Sequence, residues 1–306
     1  MNKVVFYLTY PIIWLLSILP MFILYLISDF FYVILYYVVG YRKDVVLKNI
    51  SYAFPEKSEE EKQKIAKDFY KHFTDIMMES IKSFTISEKE ILKRYTYKNP
   101  ELVNKYAKEG KSIALVSAHL ANWEWSINAP LVLKSNVFGA YNKLRNETFE
   151  KKLLESRQKF GISGTRTSDF IGFINQKVKN NIQGAYILLS DQSPMIEKTF
   201  YWGDFFGVKV PIHTGAEMIA KKFDLVVINY RAKKVKRGYY EADFELITEN
   251  PRDFKDYEIT EKFLSITEKN IKEQPEFYLW SHNRFKHKHR YEEWLKLQET
   301  KQQTKS

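Results

Sequence analysis

The amino-terminal positions carry almost no polar pattern. Residues 4–39 read VVFYLTYPIIWLLSILPMFILYLISDFFYVILYYVV, and Asp29 is the single charge among them. One bilayer crossing takes roughly 20 apolar residues, so residues 4–27 are expected to span once. The remainder then makes an interfacial helix, with a short re-entrant hairpin as the alternative. Pro11 and Pro20 would kink a helix, while Tyr25, Tyr32, Tyr36 and Tyr37 suit a membrane interface. A cleaved signal would need a short apolar core and a small-residue cleavage site; this stretch runs on through residues 30–37 with neither. Arg42, Lys43 and Lys48 follow directly, which places the rest of the chain on the cytoplasmic side. The expected division is therefore an anchor over residues 1–41 and one domain over residues 42–306.

Beyond the anchor the pattern becomes helical. Residues 58–84 form an amphipathic stretch whose apolar positions Ile65, Phe69, Phe73, Ile76 and Met77 recur at helical spacing. Ser58 with Glu61 has the form of a capping box. His72 on this stretch reads as a surface residue. Then short apolar runs appear at residues 112–117, 137–141, 185–189 and 225–230, each of strand length. Helical patterns at residues 146–160, 168–178, 214–223 and 260–273 separate or follow them. Strands alternating with helices predict an α/β fold with a largely parallel central sheet flanked by helices. Residues 239–247 alternate instead, as an edge or antiparallel strand does. No linker, repeat or low-complexity tract divides residues 42–306.

Composition narrows the partners. The 306 residues hold 48 Lys and Arg against 37 Asp and Glu, a formal net charge of +11, which favours anionic partners. Cysteine is absent, so disulfides, thiol nucleophiles and Cys-ligated metals are excluded. No histidine or carboxylate spacing calls for a metal. The cations Arg231, Lys233, Lys234, Lys236 and Arg237 form one dense run, and Arg284, Lys286, Lys288 and Arg290 a second. Such runs are either simply solvated or directed at anionic membrane lipids or an acidic protein. Nucleic acid is disfavoured, because no recognition motif accompanies them.

Chemistry concentrates after the first strand, in Ser117-Ala118-His119-Leu120-Ala121-Asn122-Trp123-Glu124. Open α/β sheets place ligands at the carboxyl ends of strands. His119 and Glu124 would lie about 140° apart on a regular helix, so they meet only if His119 sits in the turn. A carboxylate on one ring nitrogen would fix the tautomer and leave the other as a general base. The bland alternative is a capping histidine and a solvated glutamate.

This motif resembles the His-x4-Asp/Glu motif of glycerolipid and lipid A acyltransferases. Flanking segments narrow the likeness to the bacterial lipid A biosynthesis acyltransferases of the lauroyl/myristoyl type. Tyr41-Arg42, Val45, Val46, Asn49 and Phe54-Pro55-Glu56-Lys57 resemble its segment after the anchor. Tyr141 through Asn146, with Arg157 and Gly161, resemble a second block, which matches more loosely. Asp191-Gln192-x-Pro194 with Phe206-Gly207, Pro211 through Gly215 with Glu217 and Ala220, and Pro275 through Lys286 resemble the later ones. The likeness runs from about residue 40 to 290. It implies transfer of a fatty acyl chain from acyl carrier protein to a hydroxyl on a lipid A precursor, at the bacterial inner membrane and without a cofactor. His119 would be the base and Glu124 its orienting partner, with Asn146 among the substrate contacts. Rival readings are an acyltransferase acting on lysophosphatidate or an amino-acid lipid, and a lipid-binding protein that does no chemistry.

Three further side chains belong to the expected site. Arg157 lies on an otherwise apolar helical stripe, so it meets either a substrate anion or carbonyl or a structural partner, Asp191. Asp191 follows a strand and either lines the site, holds Arg157 or caps Ser193. Trp123, with Trp125, either walls an acyl tunnel or belongs to the core.

Overall fold

The computed structural model describes residues 2–144 and 146–303; Arg145, part of the second resembling block, lies outside the described residues. The apolar amino-terminal stretch forms two helices, α1 (Asn2–Ile18) and α2 (Met21–Val33), the second continued by a π-helical turn over Ile34–Val38. The expected single span over residues 4–27 is thus interrupted. Pro20 has no N–H to extend α1 and disfavours helical geometry at Leu19, so the chain restarts at Met21. Among the described residues, the 18-residue helical window apolar enough to cross a membrane is Met21–Val38. Pro11 is accommodated inside α1.

Next come α3 (Lys43–Ala53) and α4 (Glu59–Lys82). The capping box is present: Ser58 Oγ accepts the Glu61 N–H at 3.2 Å, and the Glu61 carboxylate accepts the Ser58 N–H at 2.9 Å. Both α1 and α2 pack along α4. Lys82 Nζ, on the last turn of α4, donates to the Ser17 and Leu19 carbonyls at 2.8 and 2.9 Å, closing the carboxyl end of α1.

The domain continues as α5 (Glu88–Arg94), β1 (Tyr95–Tyr97), α6 (Glu101–Lys108), β2 (Ile113–Ser117), β3 (Asn136–Tyr141), α7 (Glu147–Gln158), β4 (Ser163–Arg166), α8 (Phe170–Lys179) and β5 (Gly184–Leu189). It ends with β6 (Tyr201–Phe205), β7 (Val208–Ile212), α9 (Gly215–Phe223), β8 (Val226–Lys236), β9 (Tyr239–Thr248), α10 (Glu258–Glu273) and α11 (Tyr291–Gln303). Seven strands form the main sheet in the order β1-β9-β8-β2-β5-β3-β4, and β6 and β7 make a separate antiparallel pair. The five strands from β8 to β4 run parallel, as the alternation of strands and helices predicts. β9 is antiparallel to β8 but is not the edge, since β1 pairs beyond it. Every residue of β2 is buried, the state of a central parallel strand covered on both faces.

The first basic run is not a free patch. It forms the outer half of β8, where Arg231 pairs with Asp243 at 2.6 Å and Glu273 at 2.9 Å. Lys234 lies 3.5 Å from Asp75, and Arg237 joins Asp75 at 2.7 Å and Asp29 at 2.6 Å. In the second run, Arg284 is buried, its Nη1 donating to the Pro211 carbonyl at 3.2 Å.

Candidate active site

Two neighbouring strands bring the central residues together. β2 and β5 run parallel in register, with Ser117 beside Leu189, and the Ser190 N–H donates to the Ser117 carbonyl at 3.0 Å. Two residues past each register partner, the chain places His119 and Asp191 side by side. His119 Nδ1 and Asp191 Oδ1 are 2.7 Å apart. Asp191 is 1% exposed and the His119 side chain 16%. Burial alone would raise the Asp191 carboxyl, but the charge and hydrogen bond of His119 and nearby backbone N–H groups hold it below its ordinary value. Burial likewise depresses His119, and here Asp191, with a smaller contribution from Glu124, outweighs it and raises the imidazole. An ionised Asp191 accepts a hydrogen bond from Nδ1–H and so fixes the tautomer. Nε2 then carries the lone pair, approached by the Gln192 side-chain amide at 3.3 Å.

The carboxylate on the imidazole is therefore Asp191, not Glu124. Glu124 instead receives Arg157, whose Nη2 donates to both carboxylate oxygens at 2.9 and 3.2 Å. Of the alternatives for these two residues, their mutual pairing is not formed: Arg157 stands on the cavity wall, while Asp191 serves His119 and neither lines the cavity nor caps Ser193, whose N–H goes to His282. Both side chains of the Glu124–Arg157 pair stay more than a quarter exposed.

The loop between β2 and the following turn is held from three sides. Ala121 has a positive φ of 49°, a conformation non-glycine residues adopt at a cost. Its N–H donates to the Phe277 carbonyl at 2.9 Å, while the Leu279 N–H donates to the His119 carbonyl at 3.1 Å. His72 is buried rather than at the surface, and its Nε2 lies 3.2 Å from the Ala121 carbonyl. Burial and the neighbouring Lys234 push His72 far down, so it stays neutral, as a donor to that carbonyl and an acceptor for Lys234. Asn122 caps the 3-10 turn Trp123–Leu131, its Oδ1 accepting the Trp125 N–H at 2.9 Å. The Asn122 amide donates to Glu79 at 2.6 Å. Hydrogen bonds from α4 and the segment at 277–279 hold the aperiodic stretch from His119 to Glu124 in place.

A cavity of about 570 Å³ opens over these groups, within the range of small-ligand pockets. His119, Trp123, Glu124, Arg157 and Gln192 line it on the polar side. Leu154, Ile162, Phe170, Ile187, Leu188 and Ile219 supply apolar wall. Trp123 packs edge-on against the His119 ring at 5.2 Å, whereas Trp125 is buried in the core. Asn146 does not line the cavity; its Oδ1 accepts the Thr148 and Phe149 N–H groups at 3.1 and 3.2 Å, capping α7. Behind Asp191, His282 accepts the Ser193 N–H at 3.0 Å, and burial pushes it down to about 4. Among the described residues no cluster of three or more His, Asp or Glu side chains is placed to hold a metal.

Sequence reasoning missed Gln192 and His72 as parts of the site and gave Asp191 the wrong partner. Leu189-Ser190-Asp191 and Ser117-Ala118-His119 are equivalent strand exits, a signal that becomes usable once β2 and β5 are known to be neighbours.

The chain's family now follows from comparison with known proteins. A family model described as bacterial lipid A biosynthesis acyltransferase matches residues 1–287. The chain belongs to that family. No curated protein sequence matches it.

Proposed function

We propose that this acyltransferase moves a fatty acyl chain from the thioester of acyl carrier protein to a hydroxyl of a hydroxyacyl chain on a lipid A precursor. His119 Nε2 takes the hydroxyl proton as the oxygen attacks the thioester carbonyl carbon. The resulting imidazolium is stabilised by Asp191. Arg157, held on the cavity wall by Glu124, meets the negative charge that develops on the carbonyl oxygen. On collapse the carbon–sulfur bond breaks, and the leaving thiolate recovers the proton from His119. No protein nucleophile and no cofactor are needed, and the apolar wall takes the acyl chain. The domain works on the cytoplasmic face of the inner membrane, with anionic lipids beside it.

One observation carries this reading: Asp191 occupies Nδ1, which leaves Nε2 as the lone pair beside a cavity that also contains an arginine. The test is mass spectrometry of products formed by membranes carrying wild type or His119→Ala. They are supplied with acyl carrier protein loaded with mixed chains, and with lipid A precursor and lysophosphatidate in competition. A mass gain on the lipid A precursor that disappears in His119→Ala is the expected result. Gain on lysophosphatidate alone would overturn the acceptor, and undiminished transfer by His119→Ala would overturn the mechanism.

A further inference from the structure

We infer that the amino-terminal helices lie flat in one leaflet of an anionic bilayer, so that the chain enters the membrane from the domain side without crossing it. α2 turns Met21, Leu24, Ser28 and Tyr32 toward α4. Its bonds there are polar: Ser28 Oγ donates to Asp75 at 2.8 Å, and the Tyr25 hydroxyl donates to Glu79 at 2.8 Å. Asp29, next along α2, pairs with Arg237 at 2.6 Å. α1 is tied as well, through Lys82 on its carbonyls and Phe6 edge-on against Phe149 of α7 at 5.0 Å. A crossing helix would have to carry Asp75, Glu79, Lys82 and Arg237 into hydrocarbon, or leave them without these partners; both are costly. α1 alone, at about 25 Å for 17 residues, is shorter than the roughly 30 Å hydrocarbon core.

The opposite face is apolar and open. Leu8, Ile12, Leu15, Phe22, Leu26 and Val33 are all close to half exposed or more. Lysines line its edge: Lys43 lies 4.1 Å over the Tyr36 ring and Lys71 5.6 Å over Tyr32, while Arg237, 4.6 Å over Tyr25, is already paired with Asp29 and Asp75. An apolar helical face edged by lysine is the form of an in-plane anchor on anionic lipid. A second copy would bring the same cations against these and is disfavoured by charge. α7 carries both Phe149, against α1, and Arg157, on the cavity wall, so this seating holds the site close to the same leaflet. The inference rests on packing and charge, independently of the reaction proposed above.

The cysteine-free sequence makes the test direct. Single cysteines replace Asn2, Leu8, Phe22 and Leu26 in the full chain, which is added to preformed vesicles of phosphatidylethanolamine and phosphatidylglycerol. Bimane on residues 8, 22 and 26 is then quenched by lipids carrying nitroxides at graded depths, and Asn2→Cys is challenged with a membrane-impermeant maleimide outside. The expected result is one common shallow depth for the three labels and full external labelling of Asn2→Cys. Depths that run through the bilayer midplane, or an Asn2→Cys that labels only after the vesicles are opened, would establish a crossing and overturn the inference. Labels shielded by a dimer in place of lipid would overturn it too. Equal binding to pure phosphatidylcholine vesicles would overturn the anionic preference.

Discussion

Two of the places where the chain buries ionisable groups, around Glu79 and around His119, are finished differently. Glu79 is wholly buried and accepts the Tyr25 and Tyr240 hydroxyls at 2.8 Å and the Asn122 amide at 2.6 Å. Beside it Asp75 receives Ser28, Arg237 and Lys234. These groups satisfy one another and line no described cavity. Around His119 the cluster opens on a cavity: Asp191 holds Nδ1 and the Gln192 amide stands 3.3 Å from Nε2, while the ring, Glu124 and Arg157 line about 570 Å³ of open space. Burial of charge alone therefore does not mark a functional site. A satisfied cluster joins elements, and a cluster with reactive atoms beside a cavity can do chemistry. Asn122 links the two, one end on Glu79 and the other capping the turn that bears Glu124.

Substitutions can break this contrast. Asp191→Asn should give the largest effect, lowering kcat/KM on the order of 10²–10³-fold by weakening the base and its orientation. Because Asp191 raises His119, the rise of kcat/KM with pH should also move to lower pH, and a pH–rate profile reads both. An unchanged profile would detach Asp191 from the base. Glu79→Ala should act on stability first, costing about 3 kcal/mol in urea unfolding by stranding three buried donors.

Glu79 also predicts a slope. Burial and the charge of Asp75 push it from 4.5 to about 7, so between those values the folded chain keeps a proton that the unfolded chain releases. Stability should fall as pH rises through that window, and Glu79→Gln should flatten the fall. Glu124→Gln should cost roughly tenfold in kcat, about 1.4 kcal/mol, by loosening Arg157 without removing the base. A loss as deep as that of Asp191→Asn would put Glu124 on the proton's path after all. Lys236→Ala should be the mildest, within about 0.5 kcal/mol of wild type, since the Lys236 side chain lies over the Tyr239 ring and makes no ion pair among the described residues; Arg237→Ala should be clearly worse.

Much of this is legible in the sequence itself. The capping box at Ser58, the buried strands and their alternation with helices come from local periodicity and local hydrogen bonding, which short segments encode by themselves. His119 was legible as well, because it stands just past the carboxyl end of the first predicted strand, with Glu124 five residues on. The break at Pro20 was half legible: the proline was visible, but its effect was read as a kink within one span.

The pairing of side chains was not legible. His119 and Asp191 are 72 residues apart, Glu124 and Arg157 33, and Arg237 and Asp75 162. The sequence alone determined the elements, the strand exit that offers a base, and the apolar character of the first helices. Tertiary structure decided which carboxylate serves that base, which cations are neutralised, and that α1 and α2 rest on α4. The reason is physical: propensity and periodicity act over a few residues, whereas strand order and register bring distant side chains within 3 Å and select their partners.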